Sequence, residues 1–359
     1  MAYTVIDKPS DYFNTVLYTG NNTSQSITGV GFQPDWVWLK ERNGTEQHNL
    51  YDSVRGVYKR LMSDGTNAEY SSDTQLTAFG SDGFSVGSSD AINDAGNTMV
   101  AWNWRAGTAF TNDASSTSIG TLDSAGSSNQ EAGFSIVSYT SNGSSNQSVA
   151  HNLGGVPEMI ISKNRDSTSA SYNYWTVYHH SLATANDKKL KLNTTDAAST
   201  TNEWGDTDPT STVYSLHTSG DGTTNHSTDK MISYCFRSIK GYSKFSSYIG
   251  NGQDTPNGVF TYLGFTPAFI LIKATDSNSW VIVDDKRPAD PNPVDSSLAA
   301  NSSDAETTGD SNTTFDFLSN GFRTNGNSGN NNSSGQEYIF MAFASSPFTT
   351  STGIPATAK

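Results

Sequence analysis

The side chains that can do chemistry are few and scattered. His179 and His180 are the pair that suggests metal or acid–base work. Successive residues of a strand face opposite ways, so these two do not converge on one ion. Three acidic groupings have the residue types for weak calcium binding or for the paired carboxylates of a glycosidase: Asp206 with Asp208, Asp284 with Asp285, and Asp64 with Asn67. None has an EF-hand spacing, and solvated acids in turns explain all three. Lys188, Lys189 and Lys191 are the nearest thing to a basic run and read as a solvated loop, so a phosphate backbone finds no patch here and nucleic acid is not an expected partner. The single cysteine, Cys235, excludes an internal disulfide framework and reads as a small packing residue. Asn193-Thr194-Thr195 matches a glycosylation acceptor, but a chain this rich in Asn, Ser and Thr produces such matches freely. No catalytic residue, metal site or cofactor is nominated, and binding residues stay unassigned.

The elements that would position these groups are legible because the chain repeats itself. GFQPDWVWLK at 31–40 returns as GGVPEMIISK at 154–163 and as GFTPAFILIK at 264–273. Each copy holds a Gly three residues before a Pro and a Lys six after it: Gly31, Pro34, Lys40; Gly154, Pro157, Lys163; Gly264, Pro267, Lys273. Each copy opens alike, with VLYTG (16–20), IVSYT (136–140) and SSYIG (246–250), and closes alike at 99–105, 231–237 and 338–344. Between these, His48–Asp52 aligns with Trp175–His179 and Trp280–Asp284, and SDGFSVG (81–87) with SNGFRTNG (319–326). Asp52 and Asp284 thus stand where His179 stands, which predicts an exposed polar position. In the closing segment Val100, Trp102 and Trp104 alternate with Ala101, Asn103 and Arg105, a strand with one buried face. The Gly-x-x-Pro segment is apolar on both parities and predicts a central strand covered on both faces, with Pro at its start. Where repeat 1 has Trp36 and Trp38, the later copies have Met159 and Ile161, then Phe269 and Leu271. Apolar volume is kept and the aromatic ring is not, so these are core residues rather than a sugar-stacking ledge.

Composition points the same way. Thirty-one glycines and abundant Ser, Thr and Asn favour turns, and no stretch keeps a helical apolar period; SVRGVYKRLM at 53–62 predicts at most a helical turn or two. The expected fold is all-β: three tandem, jelly-roll-like β-sandwiches at 10–107, 131–241 and 242–348, with a Ser-rich linker or surface strap at 108–130. The second and third units follow each other directly and are expected to be rigidly joined, the first to move. A net charge of -14 over 359 residues predicts a soluble acidic protein, and neither a membrane-spanning stretch nor a signal segment is evident.

The signatures GFQPDWVWLKER, HNLYDSVRG, SDGFSVG and MVAWNWRAG, with GYSKFSSYIGNG, FTYLGFTPAFILIK, WVIVDDKRP and YIFMAFASSPF, resemble a repeated domain of virion proteins of tailed bacteriophages, especially marine phages infecting cyanobacteria and other aquatic bacteria. The likeness runs over nearly the whole chain, apart from 108–130 and the last ten residues. It implies a non-enzymatic virion structural protein, made in the host cytoplasm and carried on the virion surface. A tail-fibre or receptor-binding component is expected, with other virion proteins and a bacterial surface glycan or receptor as partners. It also implies a homo-oligomer, commonly a trimer. The alternatives are a head decoration, head fibre or tail adaptor with a purely structural role, and a polysaccharide depolymerase. The middle copy departs most: it reaches its Pro through SSNQSVAHNLGGVP and carries a long polar segment at 182–212. Variation in loops on a fixed scaffold is how such a module changes partner, and the Asn/Ser/Gly-rich run at 324–335 is expected to be another exposed loop.

Overall fold

The glycines of the Gly-x-x-Pro segments explain where each central strand begins. Gly31, Gly154 and Gly264 all have positive φ (+89°, +73° and +83°), a backbone state that L side chains resist. Pro34 and Pro157 then lie two residues ahead of a strand, while Pro267 sits inside one, at a register shift. The computed structural model describes residues 3–169, 173–218, 223–311 and 313–355.

Repeat 1 contains β1 (Phe13–Thr19), β2 (Gln25–Thr28), β3 (Trp36–Glu41), β4 (Asn49–Asp52), β5 (Lys59–Arg60), β6 (Tyr70–Ser71), β7 (Leu76–Gly80), β8 (Gly83–Val86) and β9 (Thr98–Trp104). After β10 (Thr108–Asn112) and β11 (Ser124–Asn129), repeat 2 contains β12 (Phe134–Thr140), β13 (Gln147–Ala150), β14 (Met159–Asn164), β15 (Trp175–His179), β16 (Lys188–Lys191), β17 (Ser199–Thr200), β18 (Val213–Leu216) and β19 (Lys230–Phe236). Repeat 3 contains β20 (Ser243–Ile249), β21 (Phe260–Tyr262), β22 (Phe265–Ala274), β23 (Trp280–Asp284), β24 (Leu298–Ala299), β25 (Thr314–Leu318), β26 (Gly321–Asn325) and β27 (Glu337–Pro347). Strands make up 43% of the chain and helix 4%, so the fold is all-β.

One strand order recurs in the large antiparallel sheets: β1-β9-β3-β4, β12-β19-β14-β15 and β20-β27-β22-β23. Registers agree as well. Trp36 lies opposite Trp104 and Asp52, Met159 opposite Phe236 and His179, and Phe269 opposite Phe343 and Asp284. A smaller sheet accompanies each: β2-β8-β7, β13-β18 and β21-β26-β25. The central strands β3, β14 and β22 are buried at every position, as the double-sided apolar pattern predicts.

The cause of that burial is that each large sheet has two covered faces. In repeat 1, Val37, Leu39 and Ala101 pack under Ile27, Leu76 and Phe84 of the small sheet; in repeat 3, Ile270, Phe340 and Ala342 pack with Phe315 and Phe322. The opposite faces of all three large sheets contribute to one hydrophobic cluster, which joins Trp36, Trp102 and Trp104 to Met159, Tyr234 and Phe236 and to Phe269, Met341 and Phe343. Trp36 stacks on Tyr234 with ring centroids 4.4 Å apart, and Trp104 meets Phe343 edge-on at 5.8 Å. Repeat 1 is therefore locked to both of the others, and the expectation that it moves independently is overturned. The closing strand needs the same correction. Its alternation is real, but Asn103 and Cys235 on the second parity are also fully buried, beneath the small sheets.

The 108–130 interval is not a linker either. β10 and β11 form a hairpin that pairs onto β12 and takes the repeat 2 sheet to eight strands with β16 and β17. Between them Asp113 caps a single helical turn, Ala114–Thr117, by accepting a hydrogen bond from the Ser116 amide. Small residues suit the site: a Cβ on Gly126 would fall 1.9 Å from the Ile136 carbonyl oxygen. At 53–62 the chain makes a turn, closed by the Gly56 amide on the Asp52 carbonyl at 3.1 Å, and then β5.

Candidate functional site

The aligned trio Asp52, His179 and Asp284 is fully buried, which corrects the expectation of an exposed polar position. All three sit at boundaries between repeats and repeat one another's contacts around the molecule. Tyr234 of repeat 2 donates to Asp52 Oδ2 at 2.7 Å, and Trp102 of repeat 1 donates its indole N–H to Asp284 Oδ2 at 2.9 Å. At the third boundary His179 donates from Nε2 to the Phe340 carbonyl at 3.2 Å, since its Nδ1 accepts from the Ser181 amide. Four residues ahead of this pattern the trio His48, Trp175 and Trp280 behaves likewise: Trp175 donates to the Met62 carbonyl, Trp280 to that of Lys191, and His48 Nε2 reaches that of Ala299. His180 lies just past the end of β15, where opposite-facing no longer applies. Its ring is 5.3 Å from that of His179, and its Nε2 contacts the Phe245 carbonyl at 2.9 Å. The two imidazoles pin repeat 2 to repeat 3.

Two of the boundaries carry buried ionic chains. Arg55 pairs with Asp52 at 2.5 Å and with Glu69 at 3.2 Å, and Glu69 reaches across to Arg165 of repeat 2 at 2.9 Å. Arg287 pairs with Asp284 at 2.5 Å and Glu306 at 2.9 Å, and Glu306 reaches Arg42 of repeat 1 at 2.7 Å. Desolvation pulls against both guanidiniums, but the neighbouring carboxylates outweigh it and hold Arg55 and Arg287 above their ordinary value. At the boundary of repeats 2 and 3 the equivalent contact is neutral, from the Ala198 amide to the Thr275 carbonyl at 2.8 Å. Asp284 is thus an interface residue and not a turn acid. Asp64 is half-buried, with its carboxyl pushed up to about 6 by desolvation, and Asp206 and Asp208 are exposed.

The lysines that close the Gly-x-x-Pro segments are buried as well. Lys40 donates to the carbonyls of Glu41 and Gly44, Lys163 to the backbone and side-chain oxygens of Asn173, and Lys273 to the carbonyls of Ala274 and Asp276. Burial lowers all three, Lys163 well below the ordinary amine range and Lys273 to about 8. Each stitches the loop after its strand. Cys235 is fully buried and its thiol is pushed up by desolvation, as a packing residue's would be.

A second threefold motif was not read from the sequence. Tyr18, Tyr139 and Tyr248 donate to the carbonyls of Ile92, Thr224 and Asn331, and the next residues, Asn93, Asn225 and Asn332, accept from the amides of Asn21, Asn142 and Asn251. The asparagines are its signal in the sequence, and pairing IVSYT with VLYTG letter for letter hides it, because Tyr139 is fourth in its segment and Tyr18 third. Asn331 and Asn332 are consequently fully buried inside a run expected to be an exposed loop.

Repeat 2 carries two open hollows lined in part by polar side chains. A groove of about 690 Å³ runs between the turn at 184–187 and the segment at 199–206, and a hollow of about 640 Å³ adjoins it, with Thr184 and Asn186 lining both. The groove is lined wholly by the polar segment at 182–212, and the hollow shares that segment with Val156, Pro157, Glu158, Tyr178 and His180. The three lysines expected there as a solvated loop form β16, and Lys189 is buried against Glu203 at 3.0 Å. Among the described residues no group of three or more His, Cys, Asp or Glu side chains is placed to hold a metal ion.

A family model described as a domain of unknown function, DUF7483, matches residues 8–347. The chain belongs to that family. No curated protein is matched by the sequence. The DUF7483 match starts ahead of β1 and stops at the last residue of β27, so the unit the family describes is the whole three-repeat assembly with its common core.

Proposed function

We propose that this protein is a non-enzymatic surface component of a tailed-phage virion, built from three sandwich repeats closed around one core, that contacts a bacterial surface glycan as a tail-fibre or receptor-binding element. The observation that carries this reading is the contrast between the repeats. The polar residues that the repeats share are consumed in joining the repeats or in bracing each one's own loops, whereas the polar residues peculiar to repeat 2 line an open groove. A braced frame with a solvent-facing patch peculiar to one repeat suits recognition. The virion setting rests on the resemblance of the repeat signatures to phage virion modules. Shallow polar sites bind weakly, so attachment would draw on several copies raising the effective concentration.

The test is adhesion. The chain displayed in many copies on beads is expected to hold susceptible host cells and not resistant ones, while leaving purified host polysaccharide at its original length. Phage lacking the protein that adsorb normally but have fragile heads or tails would transfer the reading to a purely structural role. Release of oligosaccharides would transfer it to a depolymerase.

A further inference from the structure

Resting on that attachment reading, we infer that the groove of repeat 2 and its adjoining hollow form one saccharide-binding site selective for uncharged or amine-bearing glycans over uronate-bearing or sulfated ones. Its position is the first argument. Strand β16 and the 199–206 segment build it, and the whole of 182–212 is where this repeat departs from its sisters. Its size is the second: each of the two hollows falls in the range of small-ligand sites, and shared lining by Thr184 and Asn186 makes them neighbouring subsites.

Its backbone is the third. Thr184 and Asp206, on facing sides, have φ of +52° and +48°. For the β-branched Thr184 this is a strained state, costing about 1–2 kcal/mol, and such strain is held where a site is preorganised. Thr184 is fixed by its hydroxyl on Asp187 Oδ1 at 2.8 Å, and Asn186 spans the groove to the Asp206 carbonyl at 3.5 Å. Asn202 also lines the groove, and its Oδ1 is a buried acceptor with no hydrogen-bond partner in the structure. Amide and hydroxyl groups of this kind match the hydroxyls and acetamido groups of a sugar.

Charge selects among sugars. Four carboxylates (Glu158, Asp187, Asp206 and Asp208) and two lysines line the paired hollows. Both lysines are already engaged, Lys189 with Glu203 at 3.0 Å and Lys191 with Asp196 at 3.5 Å. Asp187 is paired with Lys188 at 4.0 Å, and an anionic chain would enter against the carboxylates of Glu158, Asp206 and Asp208 on a molecule whose net charge is -14.

The full chain is titrated by ligand-observed NMR with chitohexaose and, separately, with an alginate hexamer at the same ionic strength. Binding of chitohexaose in the millimolar range is expected, at least tenfold tighter than of the alginate hexamer, and the double variant Asn186→Ala/Asn202→Ala should weaken it at least tenfold with the thermal transition unchanged. Equal or tighter binding of the alginate hexamer, absence of chitohexaose binding, or full binding by the folded double variant would each overturn the inference. Bead adhesion separates this from the attachment reading. A double variant that still holds host cells as well as wild type sinks the groove and leaves attachment standing, whereas wild-type beads that hold no cells sink attachment, and the two titrations still decide the site.

Discussion

Tyr234 donates its phenolic O–H to Asp52 Oδ2 across the boundary of repeats 1 and 2, at 2.7 Å and with both side chains fully buried. The same carboxylate oxygen takes the Arg55 guanidinium at 2.5 Å. One third of the way around, Asp284 takes Trp102 and Arg287 in the same manner. One acid at each of these boundaries therefore holds its own repeat's arginine and the neighbouring repeat's aromatic donor.

Removing that acid strands a charge. Asp52→Asn is expected to cost about 3–5 kcal/mol, because Arg55 stays buried with only part of its compensation, while Tyr234→Phe, which removes one donor to a charged group, should cost about 1.5–3 kcal/mol. The double variant should be less destabilised than the sum, since the two groups share one oxygen. Urea titration of the three variants gives the cycle; additive losses would mean that the aromatic and the acid do not act together.

Acid should loosen the assembly through its buried histidines. Burial depresses three histidines: His151 to about 4, His179 to about 3, and His48 well below the ordinary value. A depressed histidine stays neutral in the folded chain while the unfolded chain takes up a proton below about pH 6.5, so its stabilisation is present above that pH and is lost on acidification. At pH 5 the loss is about 2 kcal/mol each for His151 and His179, with His48 adding to it. Asp64 works the other way: raised to about 6 by burial, it binds its proton in the folded state first and returns about 1.4 kcal/mol at pH 5. Glu69, pushed up by desolvation but held low overall by Arg165 and Arg55 together, begins to count only below its ordinary value of 4.5. A net loss of roughly 2.5 kcal/mol or more between pH 7 and pH 5 follows from these groups, and coincident urea midpoints at those two pH values would contradict it.

Two glycines separate conformational cost from steric cost. Gly31 has a φ of +89°, and an added Cβ meets only the Ser10 carbonyl oxygen at 3.6 Å, so Gly31→Ala should cost about 1–2 kcal/mol from backbone strain alone. Gly83, at the hairpin between β7 and β8, would place its Cβ 2.0 Å from the Ile27 carbonyl oxygen. Gly83→Ala must push β2 away and should cost well over twice as much. Similar melting temperatures for the two variants would show that the small sheet yields freely.

What could be read in advance follows from which forces are local. Trp36, Met159 and Phe269 were placed correctly because parity along a strand decides facing, and the Gly-x-x-Pro-to-Lys frame fixed their alignment. The burial of Asn103 was missed because alternation reports one covered face and does not say what lies over the other; its amide proves to be bonded to the carbonyls of Asn14 and Ala101. β11 was hidden because a strand of Ser, Ala and Gly has little propensity of its own and forms by pairing with β12. The roles of Asp52, His179 and Asp284 were hidden for a related reason. Their partners lie in other repeats, at separations such as the 182 residues between Asp52 and Tyr234, and no local pattern encodes them. The groove residues Thr184, Asn186 and Asn202 were visible only as part of a long polar departure at 182–212.

The common core makes the three repeats one folding unit. In isolation repeat 1 would expose the face that carries Trp36, Trp38, Trp102 and Trp104, all of which are at most 1% exposed in the full chain. Aromatic side chains bury about 150–250 Å² each, so the uncovered patch would exceed the roughly 300–600 Å² that is the largest patch on a typical soluble monomer. It would also lose the Tyr234 donor to Asp52 and the Arg165 partner of Glu69. The full chain should therefore melt in one calorimetric transition with the van't Hoff and calorimetric enthalpies equal, and the fragment 1–107 should bind hydrophobic dyes or aggregate rather than show a cooperative transition. Two resolved transitions in the full chain, or a fragment with dispersed indole resonances and a sharp melt, would mean that the faces now meeting in the centre are complete on their own and that the aromatic contacts between repeats are docking rather than folding.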